Sequence, residues 1–219
     1  SYFFYGFLLT GVSVAIAAPF VVGNGELVWR ERDLMWFLGK AAKALLAAVV
    51  ISIIEESFFR VLLLRKLKEN FSFVIAAALC SALYAFVHFI APVKSFEYPG
   101  LSLFIGFEYL YLVLERVFSF GIFPALFGLF LVGMILCFAI EKTQSLMLCI
   151  GMHAGWVFGL KSLQYFTSVA DGYEFPISLG RRYFLVGHPV GWLSIAFVGL
   201  VLIFILRKRS MKGEQLHAV

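Results

Sequence analysis

Charge is what this sequence of 219 residues has least of: Asp, Glu, Lys and Arg together supply 14% of it, against about 25% in ordinary soluble domains. With 62% apolar residues and a mean hydropathy of +0.95, too little polar surface remains to cover a water-soluble particle. A soluble domain and a disordered chain are both excluded. Cysteine is scarce as well. Cys80, Cys137 and Cys149 lie inside apolar runs without C-x-x-C spacing, which excludes a disulfide scaffold and a zinc cluster and leaves them as small packing residues. The net charge of +5 is modest and its basic residues gather at segment ends. That pattern suits lipid headgroups and gives no basic groove for nucleic acid. No internal repeat of the kind that marks inverted-repeat transporters is visible.

What remains is long apolar runs. A spanning helix needs ~20 such residues, and six stretches qualify: Tyr2 to Val22, Leu34 to Leu64, Phe73 to Ile90, Gly121 to Ile140, Leu146 to Phe166 and Gly191 to Leu206. The first holds the small-residue run Ala15-Ile16-Ala17, but the aromatic run before it favours a retained helix over a cleaved leader. Leu101 to Phe118 is ambiguous because it carries Glu108, Glu115 and Arg116, which are expected to face a cavity or the interface. The expected fold is all-α: a polytopic transmembrane helical bundle of six to seven spans, with room for an interfacial helix, forming one integral-membrane domain over residues 1–219. Positive-inside reasoning wants Arg65–Lys68 and Arg207–Lys212 on the cytoplasmic side, with the carboxy-terminal tail. Parity then requires that Leu101–Phe118 not cross fully.

Ionisable groups inside membrane helices are costly and usually functional. The strongest cluster is Ile53-Ile54-Glu55-Glu56-Ser57-Phe58-Phe59-Arg60. Its first carboxylate lies ~15 Å before the basic end of that helix at 1.5 Å per residue, too deep for snorkelling. Glu56 and Arg60 are four apart and share a face, where they can neutralise each other. Glu55 points ~100° away and is left without that partner, as a general base beside a structural neighbour would be. His88 lies deep in the third span with Tyr84 one turn earlier. His153 sits in Gly151-Met152-His153-Ala154-Gly155-Trp156, whose glycines allow close helix approach. Two acids, two imidazoles and a guanidinium inside apolar helices are what a water-activating site would need. A charged interhelical clamp without chemistry uses the same residues.

These segments resemble the CPBP intramembrane proteases, the family of the CAAX prenyl endopeptidases and the bacteriocin-processing proteins. Its EExxxR motif matches Glu55 to Arg60, and its FxxxH motif matches Tyr84 to His88 with tyrosine in place of phenylalanine. A glycine-containing span with a polar turn matches Gly133 through Leu146. The final histidine motif matches at His153, while Val157 stands where the family has Asn or Asp. The likeness covers about Ala44 to Gly159. It implies a glutamate-type intramembrane endopeptidase of a bacterial or archaeal plasma membrane, acting on a membrane-anchored or lipidated peptide and needing no metal or other cofactor. Glu55 would be the general base, His88 would hold the water and His153 would donate to the oxyanion. Glu56, Arg60 and Tyr84 would support them, and the indole N–H of Trp156 would replace the polar group missing at Val157. Two rivals remain. A zinc metalloprotease could use the same histidines and glutamate, although H-E-x-x-H is absent. A non-catalytic transporter, immunity or binding factor would use the cluster structurally. Lys161 is expected to snorkel, and His188 and His217 to be solvated. Asp171, Glu174, Arg181 and Arg182 decorate the loop before the last span, where they could meet a substrate tail.

Overall fold

Small residues decide how closely the helices of this chain approach, and one such close pair frames the site. In a computed structural model, residues 2–90, 100, 104–118, 120–173 and 183–216 are described, with backbone alone at 116, 117, 120 and 208–216. Helix α1 (Tyr2–Gly23) runs parallel to a later helix, Leu146–Phe166, along a glycine stripe. A Cβ on Gly151 would come within 2.1 Å of the Phe3 carbonyl oxygen, and one on Gly155 within 2.3 Å of the Phe7 carbonyl oxygen. Only glycine permits that contact, and it lets Thr10 Oγ1 donate to the carbonyl of Met152 at 2.8 Å. In lipid, where tails are as apolar as leucine, such packing and hydrogen bonding hold helices together.

After α1 comes a short strand, β1 (Leu27–Trp29), and then α2 (Leu34–Glu56). The Asp33 carboxylate caps α2 by accepting from the amides of Met35 and Trp36, as orphan N–H groups at a helix start require. The helix does not stop at Glu56. It widens into a π-helical stretch, Ser57–Leu64, and closes as α3 (Arg65–Lys68). π-Bulges often mark functional sites, and this one carries Arg60. Then follow α4 (Phe73–Val87), α5 (Ile105–Val117), α6 (Phe123–Thr143), α7 (Leu146–Phe166), β2 (Thr167–Val169), α8 (Phe184–Gly187) and α9 (Pro189–Leu216). The polar turn between α6 and α7 has Gln144 in the left-handed region at φ 52° and Ser145 as the α7 N-cap.

The protein is an all-helical membrane bundle, with 83% of its described residues in helices. Among the described residues, five helices are long and apolar enough to cross a bilayer: Tyr2–Gly23, Leu34–Lys68, Phe123–Thr143, Leu146–Phe166 and Pro189–Arg207. The other elements behind the expected six to seven spans are shorter, 15 residues in α4 and 13 in α5. One departure from all-α is a two-stranded antiparallel ribbon pairing Leu27 with Val169 and Trp29 with Thr167. Strands of three residues leave no period in the sequence, and pairing partners 140 positions apart cannot be read from it.

Chain direction places the basic clusters. Lys68 pairs with Glu141 at the end of α6, and Lys142 and Arg207 share a groove with Tyr2. The basic clusters around Arg65–Lys68 and Arg207 therefore lie at one end of the bundle. Ser81 lies against Gly133, so α4 runs antiparallel to α6, and it finishes at the end where α6 begins. Helix α5 has 13 residues, which make ~20 Å of helix, shorter than a ~30 Å core. Its Glu108 and Glu115 are exposed and line no part of the central cavity. The Ala91-Pro92 break, Leu101–Leu103, Glu174, Arg181, Arg182 and His217 lie outside the described residues, and Asp171 is exposed.

Candidate active site

An acid in an apolar helix must find a partner or give up its charge. Glu56 finds two. Its side chain is fully buried, with Oε2 accepting from Arg60 Nε at 2.9 Å and Oε1 accepting from His153 Nδ1 at 2.9 Å. The i,i+4 pairing with Arg60 was legible in the spacing. The bond to His153 was not, because it joins residues 97 positions apart.

Arg60 is just as enclosed. One terminal nitrogen reaches Cys137 Sγ at 3.2 Å and Cys80 Sγ at 3.4 Å, and the guanidinium carbon lies 5.2 Å from the centre of the Tyr84 ring. These two cysteines, expected only to pack, also help satisfy a buried cation. Cys80 Sγ in turn donates to the Phe59 carbonyl at 3.2 Å. Cys149 does pack as a small buried residue, its thiol near the Leu136 carbonyl at 3.5 Å. No sequence signal distinguishes the three.

Glu55 is placed differently. Its Oε2 is enclosed and has no hydrogen-bond partner among the described residues, yet it faces both imidazoles. His88 Nε2 is 3.7 Å away and His153 Nε2 is 3.8 Å away. Both separations are too long for direct hydrogen bonds and suit a bridging water. The far nitrogens are tied down. His88 Nδ1 donates to the Tyr84 backbone carbonyl at 2.7 Å, so its Nε2 presents a lone pair toward Glu55. His153 Nδ1 donates to Glu56, an arrangement that orients an imidazole. Tyr84 thus holds His88 through its main chain, with the two ring centres 4.5 Å apart and their planes tilted by 58°, and its hydroxyl makes no hydrogen bond among the described residues.

The three groups open into a cavity of about 260 Å³. Trp156 and Val157 line it on α7, beyond His153, and Leu129 and Val132 line it on α6. Trp156 is buried and its indole has no hydrogen bond among the described residues. A roof was not anticipated. Residues Tyr183, Leu185 and Val186 close the cavity from the α8 side, and Tyr183 Oη donates to the His88 carbonyl at 2.9 Å. His188, expected in solvent, instead lies 3.0 Å from Glu26 Oε2 while its Nδ1 accepts from the Val190 amide. This clasp ties the roof to the β1 side of the bundle. Among the described residues, no set of three His, Cys, Asp or Glu side chains is spaced to hold a metal ion.

The chain matches the family model of the Rce1-like type II CAAX prenyl endopeptidases over residues 36–159. It belongs to that family. The match spans more than half of the chain and contains every element that brings Glu55, Glu56, Arg60, His88 and His153 together. The family makes the protein an integral membrane protein of CAAX-endopeptidase type. No curated protein and no solved structure matches the chain. Within the family region Val157 stands one turn beyond His153 as a cavity wall, where it offers no polar atom.

Proposed function

We propose that this protein hydrolyses a peptide bond in a membrane-anchored or lipidated substrate, with Glu55 as the base that activates water. The observation that carries this reading is the placement of Glu55 Oε2, unpartnered and 3.7 and 3.8 Å from two imidazole nitrogens. One water can hydrogen-bond to all three. Glu55 takes a proton from that water, whose other hydrogen is donated to His88 Nε2, and the resulting hydroxide attacks the scissile carbonyl carbon. His153, protonated on both nitrogens, donates from Nε2 to the tetrahedral oxyanion while Glu56 stabilises its positive charge. Two carboxylates then face two cations, so the buried cluster is neutral, as the cost of an isolated charge in lipid demands. Glu55 returns its proton to the leaving nitrogen, the C–N bond breaks, and a carboxylic acid and an amine leave.

The reading needs no metal, and the N–H of Trp156 serves as a second oxyanion donor in place of the polar side chain missing at Val157. The substrate class follows the family: a prenylated Cys-aliphatic-aliphatic-X tail. The basic end with Arg65–Lys68 and the carboxy-terminal tail faces the cytoplasm.

The test is Glu55→Gln, which keeps shape and removes the base. Cleavage of a prenylated peptide by purified protein in lipid should fall by about 10²–10⁴-fold, the usual worth of a general base. A near wild-type rate would falsify the assignment. Activity that collapses on chelation and returns with zinc would replace it with the metalloprotease reading. Undiminished biological function in a Glu55→Gln, His88→Ala double variant would replace it with a non-catalytic one.

A further inference from the structure

Lys161 has no role in the chemistry above, yet it lines the cavity. It is exposed, five residues before the end of α7, and forms no ion pair or hydrogen bond among the described residues. His153, Val157 and Lys161 fall four apart along one face of that helix, and all three line the cavity. Among the described lining residues Lys161 is the one fixed cation. A neighbouring groove of about 380 Å³ shares Lys161 and Gln164 with the cavity and adds Lys40 and Lys43 from α2, with no acid among its described lining residues. Among the described residues, the fixed charge on the cavity's exposed side is therefore positive, while Glu55 lines it further in.

We propose that Lys161 binds the terminal carboxylate of the substrate and so fixes the cut three residues from its carboxy-terminal end. This rests on the peptidase reading. The measure is geometric: eight residues of helix separate His153 from Lys161 by ~12 Å, and three extended residues span ~10–11 Å. A scissile carbonyl at His153 thus puts a free carboxylate within reach of the ammonium. Val157 lies between the two on the same helix face, and Leu129, Val132 and Ile195 add apolar walls to the cavity, which suit aliphatic side chains. Val157 becomes part of the pocket for those side chains. The charge is placed where it can be tolerated, because a carboxylate near the end of α7 sits at headgroup level, while one beside Glu55 would be repelled and desolvated.

The test uses a fluorescent S-prenylated peptide ending in Cys-aliphatic-aliphatic-X, prepared as the free acid and as the carboxamide, with full-length protein in lipid nanodiscs. In the Glu55→Gln background the acid should bind about tenfold or more tighter than the amide, as a charge-assisted pair requires. Adding Lys161→Met should bring the acid down to the amide's affinity, and Lys161→Arg should keep most of the preference. With Glu55 intact, the same loss should appear in KM, with kcat held within about twofold. Equal binding of acid and amide, or an acid preference that survives Lys161→Met, overturns the proposal and leaves Lys161 a snorkelling residue. The two readings fail separately. Cleavage without acid preference removes only the role of Lys161. Acid preference lost in Lys161→Met, with no cleavage by the Glu55 enzyme, supports Lys161 and removes the peptidase.

Discussion

Glu56 stands between His153 and Arg60, with one carboxylate oxygen 2.9 Å from each partner. A residue that looked in the sequence like half of a structural ion pair is also the group that aims an imidazole of the site. Its two duties can be separated. Glu56→Gln should lower kcat by about 10²-fold or more with little change in KM, since it weakens the hold on His153. It should also cost about 3–5 kcal/mol of stability by leaving Arg60 buried and unpaired. Pairing it with Arg60→Met should recover much of the stability and none of the rate. Unfolding in detergent and single-turnover cleavage measure the two quantities independently.

Trp156→Phe keeps an aromatic wall and removes one N–H donor. Loss of an oxyanion donor costs about 10²–10³ in kcat in soluble proteases, and a drop of that order with unchanged KM is expected here. A variant that cleaves at full rate would leave His153 as the sole donor.

The α1–α7 contact should tolerate no added carbon at Gly155, where a Cβ would come 2.2 Å from Thr10 Oγ1. Gly155→Ala should destabilise by about 1–3 kcal/mol and depress activity, because α7 also carries His153. Gly11→Ala is the matched control. Its Cβ meets nothing nearer than 3.8 Å, so its stability should stay within about 0.5 kcal/mol of the parent. Equal effects at both positions would show that the close approach is not what holds the pair.

Arg60 depends on its two sulfur partners. Cys137→Ala should cost about 1–3 kcal/mol by stranding part of a buried guanidinium, whereas Cys137→Ser retains an acceptor and should cost less. Thermal unfolding of the two variants decides it. If alanine is the milder change, the thiol contributes packing alone.

Much of the site was legible because burying charge in lipid is so unfavourable that each ionisable residue in an apolar run announces itself. Glu55, Glu56, Arg60, His88 and His153 stood out for that reason, and helical spacing separated the paired acid from the free one. His188 gave the opposite lesson. Its place in a polar loop suggested solvent, and only the returning chain near Glu26 supplied its partner. Tyr183 and Cys137 were silent in the same way, since an ordinary tyrosine or cysteine acquires meaning only from what the fold sets beside it.

The sequence by itself determined that this chain lives in a bilayer, where its main helices lie and which side chains are too polar to be there without cause. Those properties follow from composition and local period, which need no knowledge of distant neighbours. The tertiary structure decided that Glu56 meets His153, that two cysteines meet Arg60 and that Lys161 lines the same cavity as Glu55. Each of these is a meeting of residues brought together by helix direction and glycine-limited approach, and neither is written in the local pattern of the segments that meet.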